Sequence, residues 1–119
     1  MSNLTLDKLF DLVEENRFEK EVDRKIAEKI LEAEQDWGDW NTSVKNLNDF
    51  ILVLEKEIGG TVTKASLKKL LKKYNQNLTE KAWEAESICS LLEIFELTKE
   101  IELKKIFSEL IKKAKKDEN

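Results

Sequence analysis

The sequence contains no histidine, no proline, a single cysteine and only three glycines. Without histidine the chain lacks the commonest general base, the usual partner of a serine or cysteine nucleophile, and the commonest zinc ligand. The glycines stand at positions 38, 59 and 60, a spacing that cannot form a glycine-rich phosphate-binding loop. We therefore expect a protein that is not an enzyme and that holds no metal and no cofactor.

The lone cysteine, Cys89, has no partner for an internal disulfide, which fits a reducing compartment. Because it lies one residue from a predicted apolar helix stripe, we expect it to be an inert core thiol. The longest apolar run, residues 50–54, is far shorter than the roughly 20 residues of a membrane-spanning helix. The first ten residues also lack the pattern of a secretion signal. We expect a cytoplasmic protein that does not associate with membranes.

The shortage of turn-forming residues also bears on the fold class. An all-β domain needs many tight reversals, which glycine and proline usually supply. With 40% hydrophobic and 39% charged residues, the chain instead suits helices that bury one face and solvate the other. We predict an all-α fold: a single domain over residues 1–119, formed by one compact bundle of five to six helices, with a polar tail over residues 112–119 that frays.

Apolar residues recur at intervals of three and four along most of the chain, which indicates helices. Gly38 and the pair at positions 59 and 60 are expected to end two of them. Residues 79–116 form either one long helix or two. The residues expected to cap the starts of helices are Thr5, Asn41 or Thr42, Thr63, Thr79 and, if there is a separate last helix, Thr98. Around Thr79, Leu78 and Trp83 stand at the two positions of a hydrophobic staple.

The stretch QDWGDWN, residues 35–41, places two tryptophans and a glycine within seven positions. Trp37 belongs to an apolar stripe and Gly38 to a helix end, so both have structural reasons to be there. Trp40 either packs over the helix ends at this corner or anchors a protein partner, since tryptophan is enriched at binding hot spots. The surface predicted for protein binding is Trp40 with the acidic residues around it, Glu34, Asp36 and Asp39.

The leading hypothesis is therefore a small cytoplasmic helical interaction module that acts by protein–protein binding. Its role would be that of an accessory, an inhibitor or an assembly subunit of the kind encoded by viruses and mobile elements. A subunit of a homo-oligomeric bundle is a further possibility.

The alternative hypothesis is a nucleic-acid-binding helical domain. Residues 1–60 carry 8 basic and 15 acidic side chains, whereas residues 61–119 carry 13 and 10. Five lysines in the second half cover the polar surface of one predicted helix, and such a field can hold phosphate backbones. Tyr74 and Trp83 could supply base stacking. The candidate nucleic-acid-binding residues are Lys64, Lys68, Lys69, Lys72 and Lys73.

Residues 58–86, IGGTVTKASLKKLLKKYNQNLTEKAWEAE, are similar to the second half of an EF-hand loop together with the helix and linker that follow it. This resemblance implies a calcium site. However, Ser66 stands where the bidentate glutamate is required, and Glu55, Glu57 and Gly59 occupy the preceding ligand positions. We therefore expect no calcium binding here.

Overall fold

The computed structural model describes the backbone of residues 4–38 and 46–117 and the side chains of residues 4–36 and 46–114. These ranges contain six α-helices and no β-strand, which confirms the predicted all-α bundle. None of these helices combines the length and the apolar character that crossing a membrane requires. The helices are α1 (Leu6–Glu14), α2 (Glu21–Gly38), α3 (Leu47–Ile58), α4 (Lys64–Asn75), α5 (Leu78–Ile94) and α6 (Leu103–Asp117).

Two of the predicted N-caps are confirmed. The hydroxyl of Thr5 accepts a hydrogen bond from the backbone amide of Lys8 at 3.1 Å and so caps α1. At the start of α4, the hydroxyl of Thr63 accepts from the amide of Ser66 at 3.1 Å, while the hydroxyl of Ser66 accepts from the amide of Thr63 at 2.7 Å. This reciprocal capping box satisfies two amides that have no partner within the helix.

Asn41 and Thr42, the residues predicted to cap α3, lie outside the described ranges, and the cap that the structure shows is Asn46. The helix begins at Leu47, and the side-chain oxygen of Asn46 accepts from the amide of Asp49 at 2.9 Å. Its end is as predicted, because Gly59 adopts a left-handed conformation with φ of 79° and its amide donates to the carbonyl of Glu55. α2 extends through Gly38, and the residues that follow it lie outside the described ranges.

Isolated antiparallel bridges join the starts of helices that are distant in sequence. Thr5 pairs with Asn46, which links the start of α1 to the start of α3. Thr63 pairs with Glu102, and the amide of Leu103 donates to the carbonyl of Val62 at 2.9 Å, which links the starts of α4 and α6. Each bridge holds the first residues of two helices next to one another through backbone contacts.

Residues 79–116, which the sequence predicts as either one long helix or two, form parts of two helices. α5 and α6 are separated by residues 95–102. The predicted cap at Thr98 is wrong. α6 begins at Leu103, five residues after Thr98, and the hydroxyl of Thr98 accepts a hydrogen bond from the amide of Glu100 instead. At the other end α6 extends through Asp117, and the fraying expected over residues 112–119 stays a prediction. Ala114 is buried there.

Each of the six helices contributes buried side chains to one apolar core. Two polar contacts set the position of α2 within the bundle. The buried hydroxyl of Ser87 on α5 donates to the backbone carbonyl of Ala33 on α2 at 2.7 Å. The ammonium of Lys113 on α6 contacts the carboxylate of Asp23 on α2 at 2.9 Å. Among the side chains that the structure describes, the largest fully buried ones are Phe50, Leu9, Ile30, Leu47, Leu54, Leu67, Ile88, Leu91, Ile94 and Leu103.

Candidate functional site

A groove of about 580 Å³ lies between the C-terminal end of α2 and the first turns of α5. Leu78 and Trp83 expose 52% and 51% of their surface and line this groove together. Scattered exposed apolar side chains are normal on a soluble protein, whereas two large ones that share a concave surface are typical of a binding site. We call this surface the α2–α5 groove; its lining residues are Asp36, Asn75, Leu78, Ala82, Trp83, Ala85, Glu86 and Cys89.

The start of α5 explains why Leu78 and Trp83 are exposed. The helix begins two residues earlier than the predicted cap at Thr79 implies, after Asn77, whose side chain caps no backbone amide. The predicted N-cap at Thr79 is therefore wrong, because Thr79 lies inside the first turn. Lys81 departs from helical geometry with φ of −120° and ψ of 21°, which separates the first turn from the rest of α5. Leu78 and Trp83, the two residues of the predicted hydrophobic staple, are both half exposed.

The groove rests on a fixed contact between α2 and α5. The hydrogen bond from Ser87 to the carbonyl of Ala33 lies in the buried layer beneath it, and both side chains have no exposed surface. A hydroxyl and a methyl group are small enough for the two helix backbones to approach closely. The relative position of the groove walls is therefore set by packing and by a buried hydrogen bond.

The charged groups of the groove are acidic. Asp36 from α2 and Glu86 from α5 line it, and no lysine or arginine is among its described lining residues. The nearest base along α5, Lys81, is directed at α4: its ammonium lies 3.5 Å from Glu84 and 5.6 Å from the ring centroid of Tyr74.

Cys89 is exposed in this groove and is not the core residue that we predicted. Partial burial raises the pKa of the thiol, and the negative charges of Glu86 and Glu93 raise it further. The two carboxylates stand three residues before and four residues after the cysteine, so both lie on its side of the helix. The raised pKa keeps the thiol protonated and slow to react near neutral pH.

The four residues predicted for protein binding are not all described. Trp40 and Asp39 lie outside the described ranges, so the surface as a whole stays a prediction. Glu34 and Asp36 are two residues apart on α2 and therefore face different directions. Asp36 lines the α2–α5 groove, whereas Glu34 lines a second groove between α1 and α2 that also contains the half-exposed ring of Phe10.

The five predicted lysines lie on α4, but they are not equivalent. The ammonium of Lys64 contacts the carboxylate of Glu96 at 2.8 Å, and this hydrogen bond lowers the pKa of Glu96. The other four are exposed, and no hydrogen bond or ion pair within the described residues involves their ammonium groups. These four, Lys68, Lys69, Lys72 and Lys73, are called the lysine face below.

The aromatic residues that we expected to stack on bases are placed elsewhere. Tyr74 is buried, and its hydroxyl donates to a carboxylate oxygen of Glu57 at 3.4 Å. Burial raises its pKa above the ordinary tyrosine range, with the charges of Glu57 and Glu84 adding to the effect. Trp83 lines the α2–α5 groove. The lysine face thus supplies charge without these two aromatic surfaces.

The segment that resembles an EF-hand uses its polar groups in other ways. Ser66 is part of the capping box of α4, and its hydroxyl also lies 3.0 Å from the carbonyl of Thr61. Glu55 and Glu57 lie within α3 rather than in a loop. Among the described residues the structure brings together no group of three acidic or cysteine side chains that could hold a metal ion.

Comparison with known proteins finds no family model that matches this chain, and it finds neither a curated protein nor a solved structure that is significantly similar. The α2–α5 groove and the lysine face are the two described surfaces whose chemistry bears on function.

Proposed function

We propose that this protein is a helical interaction module that binds another protein through the α2–α5 groove. The observation that carries the proposal is the half exposure of Trp83 and Leu78 on one concave surface. Tryptophan is the residue most often found at the energetic centre of protein interfaces, because a partner can remove a large apolar area from water at a small entropic cost. The single cysteine, which excludes an internal disulfide, supports a cytoplasmic setting for this activity.

The rigidity of the groove walls supports the same proposal. Trp83 stands one helical turn before Ser87, which is fully buried and bonded to α2. A side chain presented from such an anchored helix loses little freedom on binding, so more of the apolar contact contributes to affinity.

A display selection tests this function even while the partner is unidentified. A library of helical peptides is selected on the immobilised native protein, and the enriched peptides are then measured on two variants. We expect Trp83→Ala to weaken binding by at least about tenfold, which corresponds to about 1.4 kcal/mol. Leu52→Ala is the matched control, since Leu52 is 60% exposed on α3 and does not line the groove. Enriched peptides that bind both variants equally would contradict the proposal.

Nucleic-acid binding is the second candidate function, and the lysine face is the observation that favours it. Four exposed ammonium groups on one helix, which form no ion pair with any described residue, can neutralise phosphates. The test is a mobility shift on duplex and single-stranded DNA and RNA across a salt series, with native protein and a variant in which all four lysines are serine. Retention that falls steeply with salt and disappears in the variant supports this function. No retention at low salt removes it.

A further inference from the structure

The lysine face lacks the ion pairs that other helices of this protein form within themselves. Arg24 pairs with Glu28 on α2, and Lys81 pairs with Glu84 on α5, in each case three or four residues along the same helix. α4 contains no acidic residue. Each lysine of the face instead has another lysine four residues away, which is unfavourable within a helix because like charges at this spacing repel one another. Negative charge from a partner would relieve this repulsion.

Two carboxylates from elsewhere in the chain bond to α4, and neither neutralises the lysine face. Glu57 accepts from the hydroxyl of the buried Tyr74, and Glu96 contacts Lys64, the first residue of the helix. The hydrogen bond and the charge of Lys64 are the main causes of the lowered pKa of Glu96, and the charge of Lys68 contributes less. The lysine face therefore keeps most of its positive charge for a partner.

The four lysines form two rows along α4. Successive residues of an α-helix are rotated by about 100°, so residues four apart lie nearly in line. The first row is Lys68 and Lys72, and the second row is Lys69 and Lys73. At an angle between the rows lies Ala65, which is small, uncharged and exposed. Because a helix with its side chains is about 10–12 Å across, the rows flank an outward surface of roughly that width.

Duplex DNA presents two lines of phosphates at a matching distance. Its major groove is about 12 Å wide and admits an α-helix, with the phosphates of one strand along each side. The major groove of duplex RNA is deep and narrow and does not admit one. A single strand offers one line of phosphates, and its bases usually stack on aromatic side chains. α4 offers no such surface, because its one aromatic residue, Tyr74, is buried.

We infer that α4 lies along the major groove of duplex DNA, where each lysine row contacts the phosphates of one strand. This inference rests on the second candidate function, nucleic-acid binding, and specifies the nucleic acid and the mode of contact. Contacts to phosphates position a protein on a duplex but carry no sequence information. Ala65 adds only a methyl group between the rows. The protein therefore binds duplex DNA without regard to sequence.

Fluorescence anisotropy with labelled oligonucleotides and native protein tests the inference. The probes are a DNA duplex of about 20 base pairs, or about two helical turns, a second DNA duplex of scrambled sequence, one strand alone, and an RNA duplex. At equal low salt we expect the two DNA duplexes to bind alike, and at least about tenfold more tightly than the single strand or the RNA. The logarithm of the affinity for duplex DNA should fall with the logarithm of salt concentration with a slope of about −3 to −4, since each neutralised phosphate contributes about −0.9.

Paired substitutions test the two rows separately, with glutamine chosen because its helix propensity is close to that of lysine. The paired variants are Lys68→Gln with Lys72→Gln and Lys69→Gln with Lys73→Gln. Each pair should weaken binding to duplex DNA by at least about tenfold and make the salt slope shallower by about two. Lys20→Gln with Lys25→Gln makes the same change in net charge at exposed positions around the start of α2 and should change neither quantity. Far-UV circular dichroism and urea midpoints check that all variants are folded.

The outcomes separate the inference from the function on which it rests. If the single strand or the RNA duplex binds as tightly as duplex DNA and the row variants lose this binding, the lysine face binds nucleic acid and the major-groove inference is wrong. Dependence on one row alone also overturns it, as does an equal loss in the α2 control, because the attraction would then come from net charge. Poly-glutamate that competes as well as duplex DNA would indicate a surface for acidic proteins instead. If no probe binds at low salt, both the inference and nucleic-acid binding fail.

Discussion

The α2–α5 groove and the lysine face are outward surfaces of two adjacent helices that share one core, yet they differ in nearly every physical property. The lysine face is an exposed side of one helix and carries a single charge sign. The groove is concave, acidic at its rim and apolar at one end. Hydration of the charged groups is enough to explain why the lysines are exposed. Water does not favour the exposure of two large apolar side chains, Trp83 and Leu78, on one surface.

The comparison also shows that charge along the chain is a poor guide to charge on the surface. The first 60 residues are acidic and the rest are basic, but the groove takes Asp36 from the first half and Glu86 from the second. The lysine run of α4 loses one member, because Glu96 binds Lys64 from 32 residues away. The charge of a surface therefore depends on which helices meet there. The net charge of each half of the sequence does not describe it.

The largest expected effects are on stability, and they should be alike for the two helices. Leu67→Ala on α4 and Ile88→Ala on α5 each remove a fully buried side chain. Each should lower the free energy of unfolding by about 2–5 kcal/mol in urea titrations. Lys69→Ala, on the exposed side of α4, should change it by no more than about 0.5 kcal/mol. A loss below about 1 kcal/mol for either core variant would show that the helix is not anchored as described.

A smaller loss of stability is expected when the hydrogen bond between α2 and α5 is removed. Ser87→Ala removes the hydrogen bond to the carbonyl of Ala33 and should cost about 0.5–1.5 kcal/mol by urea unfolding. It should also weaken peptide binding, because the position of α5 against α2 is then held by packing alone. Ser90→Ala, at a partly exposed position on the same helix, is the control and should change neither quantity. Equal effects of the two substitutions would contradict the role of Ser87.

The reactivity of Cys89 reports the acidic character of the groove. Glu86→Gln removes a negative charge that raises the pKa of the thiol, so the pKa should fall and the thiolate fraction at neutral pH should rise. The alkylation rate by iodoacetamide, measured as a function of pH, should therefore increase and its profile should move to lower pH. Glu84→Gln, on the side of α5 that faces α4, should leave the profile unchanged. An unaltered profile in Glu86→Gln would place that carboxylate away from the thiol.

The smallest expected effect concerns the ion pair at the edge of α4. Lys64 lowers the pKa of Glu96 in the folded protein, so the pair stabilises the fold above the pKa of an unfolded glutamate and loses that effect as the pH falls through the lowered value. The urea midpoints of native protein and Lys64→Ala should differ slightly near pH 7 and converge once the pH has fallen below the lowered pKa of Glu96. Because both groups are exposed, the difference at neutral pH should be small. A gap that widens in acid would contradict the assignment.

Local signals were sufficient for much of the fold. Thr5 and Thr63 were predictable as caps because their hydroxyls act on amides three residues away, and Gly59 because only glycine adopts its conformation readily. The start of α3 was not predictable in this way. Asn41, Thr42 and Asn46 are all good caps, and the bridge between Thr5 and Asn46 pairs the latter with the start of α1.

The α2–α5 groove depends on contacts between helices, and the spacing of apolar residues in the sequence does not predict those contacts. The staple pattern at Leu78 and Trp83 assumed a regular helix after Thr79, and the interruption at Lys81 removes that assumption. Cys89 lies at the border of the buried stripe, where the position of α2 decides whether a side chain is covered. A pattern of apolar residues identifies the face of a helix, but the edge of that face is set by its neighbour.

The most direct test of the central claim is the affinity of a helical peptide selected on the native protein, measured for the native protein and for Trp83→Ala. We predict that Trp83→Ala loses affinity by at least about tenfold, or about 1.4 kcal/mol, and that Leu52→Ala is unchanged. The variant in which the four lysines of the lysine face are serine should bind the peptide at least as tightly as the native protein. If Trp83→Ala binds the peptide as tightly as the native protein, the α2–α5 groove is not the binding site.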